Sequence, residues 1–317
     1  MTAVHDAPPS FPPLVALVGC TAVGKTDLAL DLAQAYGGEI IGADSRQIYR
    51  GMDIGTAKPT AAQRAAVPHH LIDIVDPDDG FSLARYQDLA LAAIADCTAR
   101  GKLPLLVGGT GQYVQAILEG WQVPRVPPQP EVRAELEARA AEQGGSSLFA
   151  QLQTVDPVAA SRIDPQNVRR IIRALEVYLV TGTPISAQQG REPPPYAIVT
   201  LWLDMPREAL YERIDRRVDM MMAEGLLDEI RTLQERGYDW TLPAMSSLGY
   251  KEFQPWFAGT TALDACVQTL KWNTHAFARR QITWFKRLAQ PHRIDALPGA
   301  LDDARRILGA HGLRALA

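Results

Sequence analysis

"LVALVGCTAVGKT", residues 14–26, is the stretch from which the fold can be read. Its first five residues are an unbroken apolar run, the pattern of a strand buried on both faces of a parallel sheet. The next eight, "GCTAVGKT" (19–26), have the spacing G-x-x-x-x-G-K-[ST] of a phosphate-binding loop. Downstream, Leu28, Leu32 and Tyr36 recur at helical spacing until Gly37-Gly38 stops the helix. In such a loop successive backbone N–H groups form an anion nest, and the helix N-terminus adds partial positive charge. Gly19, Thr21, Ala22, Val23 and Gly24 are therefore expected to wrap a diphosphate. Lys25 adds a full charge, and Thr26 is placed to coordinate Mg²⁺. Cys20 reads as a small packed residue.

The strand–helix alternation continues. Strands are expected at "EIIGA" (39–43), "LPLLV" (103–107) and "AIVTLWL" (197–203), and helices near 83–99, 112–119 and 207–222. That order predicts an α/β fold with a parallel sheet covered on both faces. The pattern breaks in the middle. "VPRVPPQP" (123–130) has four prolines in eight residues and "REPPP" (191–195) has three in a row. Between them helices are expected over Glu131–Gln143, over a shorter segment, and over 164–182. The expected organisation is a tail over 1–13, a core over 14–122 and 196–317, and an all-helical insertion over 123–195.

The chain has 317 residues, 47% of them hydrophobic, enough for a sizeable core. Its net charge of -4 advertises no nucleic acid globally, so any such site must be a local patch. Three cysteines (Cys20, Cys97, Cys266) form no pair at metal-binding spacing, which fits a reducing compartment. "MTAVHDAPPSFPP" has neither the cationic nor the apolar region of a signal peptide, and no apolar run is long enough to span a bilayer. A cytoplasmic monomer is expected.

The loop does not choose its diphosphate. No guanine-reading N-K-x-D tetrapeptide is present, and the strand ending at Asp204 has the look of a Walker-B strand, which keeps a kinase in play. Two other turns bear on the choice. In "ADSRQIYRGMDIGTAK" (43–58), Asp44 falls at the carboxyl end of a strand, the ligand edge of a doubly wound sheet. It reads as a proton acceptor or metal ligand about as readily as a helix cap. In "LVGGTGQY" (106–113), Thr110 reads as a phosphate donor or as a cap.

Two surfaces suit RNA. Over 168–179, Val168, Ile171, Ile172, Leu175 and Leu179 make an apolar face, and Arg169, Arg170 and Arg173 are expected to point away from it. From 271 to 293 there are six basic residues and no acidic one, interleaved with Trp272, Phe277, Trp284 and Phe285. Phosphate contact plus base stacking needs such a mixture, although most of these aromatics read as core. Met220-Met221-Met222 reads as packing. Arg213 and Arg217, four apart, read as a solvated stripe.

"GCTAVGKTDLA", "ADSRQIYRGMDIGTAKP", "PHHLIDIVDP", "LVGGTGQYVQAILEG", "RRIIRALEVY", "GLLDEI", "SLGYKE" and "ARRQITWFKR" resemble, in order, segments of the bacterial tRNA dimethylallyltransferases, also called tRNA isopentenyltransferases. The resemblance covers about residues 14 to 290. Cys20 departs from it, standing where the family often has proline, and the zinc module that eukaryotic members often carry after the core is missing.

The resemblance implies a P-loop NTPase-like fold and transfer of a dimethylallyl group from its diphosphate to the exocyclic amine of the adenosine 3′ of the anticodon. Diphosphate leaves, with Mg²⁺ as the cofactor. It implies that Asp44 is the base, that Thr110 orients groups at the reacting centre beside Lys25, and that Arg217 reaches the diphosphate. It places contacts with the tRNA anticodon stem-loop at Asp44, Ser45, Arg46 and Gln47, and at Arg169, Arg170 and Arg173. Further contacts are implied at Ser246, Ser247, Leu248, Gly249, Tyr250 and Lys251, and at Asn273, Arg279 and Arg280. Three rivals compete: a P-loop kinase with a helical lid, a prenyltransferase of free adenine nucleotides, and a non-catalytic RNA-binding protein.

Overall fold

The computed structural model describes residues 11–316; most of the expected tail over 1–13 lies outside the described residues. In chain order the strands are β1 (Pro13–Val18), β2 (Gly38–Gly42), β3 (His69–His70), β4 (Leu103–Gly108), β5 (Trp121–Gln122), β6 (Gly190–Arg191), β7 (Ala197–Asp204) and β8 (His292–Asp295). The helices are α1 (Lys25–Tyr36), α2 (Ala61–Ala66), α3 (Leu83–Ala99), α4 (Gly111–Leu118), α5 (Pro130–Gln143), α6 (Gly145–Val155), α7 (Pro157–Ala160), α8 (Val168–Thr181), α9 (Arg207–Ala223), α10 (Leu226–Glu235), α11 (Gln254–Phe257), α12 (Leu263–Phe285) and α13 (Ala300–Ala310). Contacts divide the chain into two units, residues 1–118 with 195–317, and residues 119–194.

The first unit is built on a six-stranded sheet in the order β3-β2-β4-β1-β7-β8, with every pairing parallel. β1 lies inside it, between β4 and β7. Successive strand side chains point to opposite faces. Val15 and Leu17 accordingly join Leu28, Leu32, Leu105 and Leu201 in one core. Leu14, Ala16 and Val18 join Tyr86, Ile94, Leu106 and Val114 in another. Both faces are dry, which is why "LVALV" does not alternate. A third core gathers Ile48, Met52, Val218, Ile230, Tyr250, Phe253 and Leu270. It packs α9, α10 and α12 against the segment that follows β2.

Strand β8 has no counterpart among the strands expected from the sequence, where Arg293 reads as part of a basic surface run. The residue instead sits in this edge strand, where it pairs with Asp204 at 2.8 Å.

The second unit is largely helical. Its ends are joined by a short antiparallel ladder of β5 and β6, in which Trp121 faces Arg191, and only β6 falls inside the expected helical insertion. Its core is Leu136, Leu148, Leu152, Ile171, Ile172 and Leu175. Two expectations for α8 fail here. Leu179 is 51% exposed, because the buried stripe ends before the helix does. Arg173 does not point away: it donates to Glu176 Oε2 at 2.6 Å and to the Val126 carbonyl at 2.9 Å. The cause is Glu176, a fully buried carboxylate that also takes Arg133 at 2.8 Å and the Gln129 N–H at 2.7 Å. A buried charge requires such partners.

Candidate active site

The site opens at the carboxyl ends of β1, β2 and β4. Gly19 is needed where β1 ends, since a Cβ there would lie 2.5 Å from the Leu203 carbonyl of β7. Gly24 adopts φ +102°, the left-handed conformation that turns the loop into α1. Lys25 donates to the Cys20 carbonyl at 2.7 Å, so its ammonium lies across the loop mouth. Burial pulls the Lys25 pKa down to about 8, with Arg217 pushing the same way and Asp44 opposing. A cation this poorly hydrated gains strongly from an anion brought beside it.

Two arginines of α9 cover the loop. Arg217 Nη1 donates to Thr21 Oγ1 at 3.3 Å. Burial lowers its pKa too, against the pull of Asp44. The Arg213 guanidinium lies 3.5 Å from where a Cβ on Gly24 would stand. The i, i+4 pair is thus a clamp over the nest, and the solvated-stripe reading is corrected.

The turns after β2 and β4 are joined to each other. Ala43 N–H donates to the Val107 carbonyl at 2.8 Å, and Thr110 N–H to the Ala43 carbonyl at 3.1 Å. The Thr110 hydroxyl accepts the Ser45 N–H at 3.0 Å, while its carbonyl takes the first free amides of α4, from Tyr113 and Val114. Thr110 therefore starts the helix with its carbonyl and braces the neighbouring turn with its side chain, which leaves the cap reading of its hydroxyl unfilled. Gly108 permits this contact, because a Cβ there would lie 2.1 Å from the Ala43 carbonyl. Asp44, on the braced turn, accepts the Arg46 N–H on Oδ1 at 2.8 Å.

Gln281 of α12 is a residue that sequence reasoning gave no role. Buried at 5% exposure, it accepts the Thr21 N–H at 2.9 Å and donates to the Gly109 carbonyl at 2.9 Å. It ties the phosphate loop to the β4 turn. Glu229 of α10 was missed as well. Its carboxylate takes the N–H groups of Asp53, Ile54 and Gly55 at 2.8, 2.7 and 3.1 Å, and the Tyr250 hydroxyl at 2.7 Å.

These elements enclose a cavity of about 850 Å³. Thr21, Ala22, Gly24, Lys25, Thr26, Asp44, Gln47 and Arg217 line it, with Arg213 beside them. Ile54, Met220, Met221 and Phe277 give it an apolar side, so the methionine run is not packing alone. Thr110 does not line it, nor does Val23, which is buried. Asp204, the Walker-B candidate, does not line it either and is held by Arg293.

The remaining expected RNA contacts sort by exposure. Ser45 and Arg46 are half-buried, and Arg46 reaches the Pro243 carbonyl at 3.0 Å. Ser246 and Lys251 are exposed and Leu248 is half-buried. Ser247 and Tyr250 are buried and hydrogen-bonded to Ala244 and Glu229, so direct contact is not open to them in this conformation. Gly249, at φ +94°, and Asn273 both bind Glu252. They too shape the 246–252 turn.

Arg279 is exposed and donates to the Tyr211 hydroxyl at 2.8 Å, and Arg280 is exposed beside the Phe277 ring. The basic run is less free than its composition suggests, since Lys271 pairs with Asp219 at 2.7 Å. Of its aromatics, Phe285 is core, Trp284 covers Gly111 and Trp272 is 63% exposed. In the second unit Arg169 and Arg170 are exposed.

No helix among the described residues is long and apolar enough to cross a membrane. A model of the IPP transferase family matches residues 47–288, and one described as isopentenyl transferase matches 12–78. The chain is 66% identical to the tRNA dimethylallyltransferase of Roseiflexus castenholzii over 276 residues, which is 87% of this chain and 90% of that protein. Among solved structures it resembles the full-length tRNA isopentenylpyrophosphate transferase of Bacillus halodurans, with 42% identity and a TM-score of 0.70 over 95% of this chain and 96% of that one. A eukaryotic dimethylallyltransferase acting on tRNA superposes at a TM-score of 0.79 with 29% identity, over 94% of this chain and 77% of that one. With the phosphate loop, the Asp44 turn and the Gln281 brace all inside the matched spans, the chain belongs to the IPP transferase family, the tRNA dimethylallyltransferases.

Proposed function

We propose that this chain transfers a dimethylallyl group from dimethylallyl diphosphate to the N6 amine of the adenosine 3′ of a tRNA anticodon. One observation carries the assignment of roles: Asp44 and the Lys25–Arg213–Arg217 cluster open on the same cavity. The carbon–oxygen bond of the donor breaks and its electrons go to the diphosphate. The amine nitrogen bonds that carbon, and its proton passes to Asp44. The loop amides, Lys25 and the two arginines stabilise the charge that develops on the leaving group. The apolar side of the cavity suits the prenyl chain.

A Mg²⁺ ion takes oxygen ligands, and the loop offers a hydroxyl for one of them. Thr26 lines the cavity and would hold the ion, with diphosphate oxygens and water completing its preferred shell. Bound there, the ion would neutralise leaving-group charge. Asp204 in its pair with Arg293 disfavours the kinase alternative, which needs a carboxylate free at that strand end. Arg169, Arg170, Arg279 and Arg280 are assigned to the RNA backbone because they are exposed cations.

Mass spectrometry of an anticodon stem-loop RNA and, separately, of free AMP, each incubated with enzyme, Mg²⁺ and either dimethylallyl diphosphate or ATP, tests the reading. The adenosine should gain one dimethylallyl group with the prenyl donor alone. Phosphate transfer from ATP, or prenylation of free AMP at the same efficiency, would overturn it.

A further inference from the structure

Asp44 follows the carboxyl end of β2. Near the other end of that strand three unlike side chains converge. Glu39 lies on β2, His70 on β3 and Cys97 near the end of α3. His70 Nε2 is 2.8 Å from Glu39 Oε2. Cys97 Sγ is 3.5 Å from that oxygen and 3.7 Å from the imidazole nitrogen. Glu39 and Cys97 are buried, and His70 is half-buried, so the cluster has one side toward solvent. Among the described residues no other three His, Cys or carboxylate side chains bring ligand atoms together in this way. None of the three lines the transfer cavity.

The separations suit a tetrahedral ion. Zinc lies about 2.3 Å from sulfur and about 2.0–2.2 Å from nitrogen or oxygen, so its ligand atoms stand about 3.4–3.6 Å apart. The two sulfur distances are already close to that. The His70–Glu39 contact is a direct hydrogen bond and must open by about 0.5 Å to share an ion. Arg100 holds the other carboxylate oxygen, Glu39 Oε1, at 2.5 Å, which aims Oε2 at the imidazole and the thiol. Its second nitrogen also reaches Oε2, at 2.7 Å, and pairs with Asp96 at 2.6 Å. That nitrogen also lies 3.7 Å from Cys97 Sγ, so it must swing onto Asp96 when Oε2 and the sulfur take a metal. A thiolate, an imidazole and one carboxylate together select the zinc class of ion over Mg²⁺ or Ca²⁺.

We propose that Glu39, His70 and Cys97 form a binding site for one Zn²⁺-class ion, with solvent as the fourth ligand. The ion would pin the two-residue edge strand β3 to β2 and α3. This site is independent of the transfer chemistry.

The test uses the full chain, stripped with chelator and titrated with Co²⁺ as a spectroscopic stand-in. One Co²⁺ per chain should give a thiolate-to-cobalt charge-transfer band with intense tetrahedral visible bands, and Zn²⁺ should displace it and raise Tm. Cys97→Ser should abolish the charge-transfer band. His70→Gln, which keeps a donor for Glu39, should weaken Zn²⁺ binding by at least about 100-fold, given that loss of mere outer-shell partners costs about 10–100-fold. Cys266→Ser should bind as wild type does. The cluster is only a hydrogen-bonded salt bridge if wild type shows no thiolate band, if the band survives Cys97→Ser, or if His70→Gln binds zinc normally. The wild-type titration decides this even where a variant fails to fold.

Discussion

The Thr110 hydroxyl accepts the Ser45 N–H at 3.0 Å, joining the turn at the end of β4 to the turn that carries Asp44. Thr110→Ala should leave that amide without its acceptor, at a cost of about 1–3 kcal/mol. Both thermal stability and single-turnover rate should fall, and Thr110→Ser should restore most of each. A variant with wild-type Tm and only a slower rate would mean instead that the hydroxyl acts on the substrate directly.

Lys25→Ala should weaken binding of dimethylallyl diphosphate by about 10–100-fold, the value of one charge-assisted hydrogen bond of about 1.5–3 kcal/mol. Affinity for tRNA should stay near wild type. Calorimetry with the donor and filter binding with labelled tRNA separate the two. Lost RNA affinity beside normal donor binding would put the loop's charge to another use.

How much of this was legible in the sequence differs from residue to residue. β1 was clear because both of its faces are buried, which forces an apolar run no exposed segment would carry. β8 was not, because "HRID" has one apolar residue in four and, at the sheet edge, needs no more. Arg217 was ambiguous since i, i+4 spacing is the same for a clamp as for a solvated stripe, and the difference lies in where α9 is set against the loop. Gln281 and Glu229 were invisible for a related reason. Their partners are backbone groups far away in sequence, and a polar side chain gives no local sign of a backbone partner. Tyr250 was read as an RNA contact from the resemblance, yet its hydroxyl bonds Glu229 from within a core.

Asp44→Asn should lower turnover by about 10²–10⁴-fold while both substrates bind nearly as before. The amide keeps an oxygen for the Arg46 N–H, so the turn should hold. What it loses is the capacity to take the amine proton. Single-turnover rates at saturating donor and tRNA provide the measurement, and transfer at the wild-type rate would leave Asp44 as a turn residue only.

Glu176 should give the second unit an acid-sensitive contribution. Burial raises its pKa, but Arg133, the Gln129 N–H and Arg173 outweigh burial and hold it below the usual carboxylate value. A depressed folded-state pKa stabilises fully above the unfolded value, near 4.5, and that stabilisation is lost as pH falls through the folded value. The difference in urea midpoint between wild type and Glu176→Gln should therefore be large at neutral pH and shrink below about pH 4.5. A difference that is flat across this range would mean the carboxylate charge contributes nothing there.

An acidic chain must hold a polyanion through local cations, and the structure separates those already paired from those that are not. Lys271 is bound to Asp219, whereas no carboxylate pairs with Arg280 among the described residues; its guanidinium lies over the Phe277 ring at 5.8 Å from the centroid. Each phosphate neutralised should contribute about 0.7–0.9 to the slope of log affinity against log salt. Arg280→Ala should weaken tRNA binding and make that slope shallower by about one contact. Lys271→Ala should change the slope little, because its charge is already compensated. Donor binding should be unaltered in both, since neither side chain reaches the phosphate loop. If Arg280→Ala matches wild type in affinity and slope while Lys271→Ala does not, the ion pair opens on binding and the RNA lies along the other face of α12.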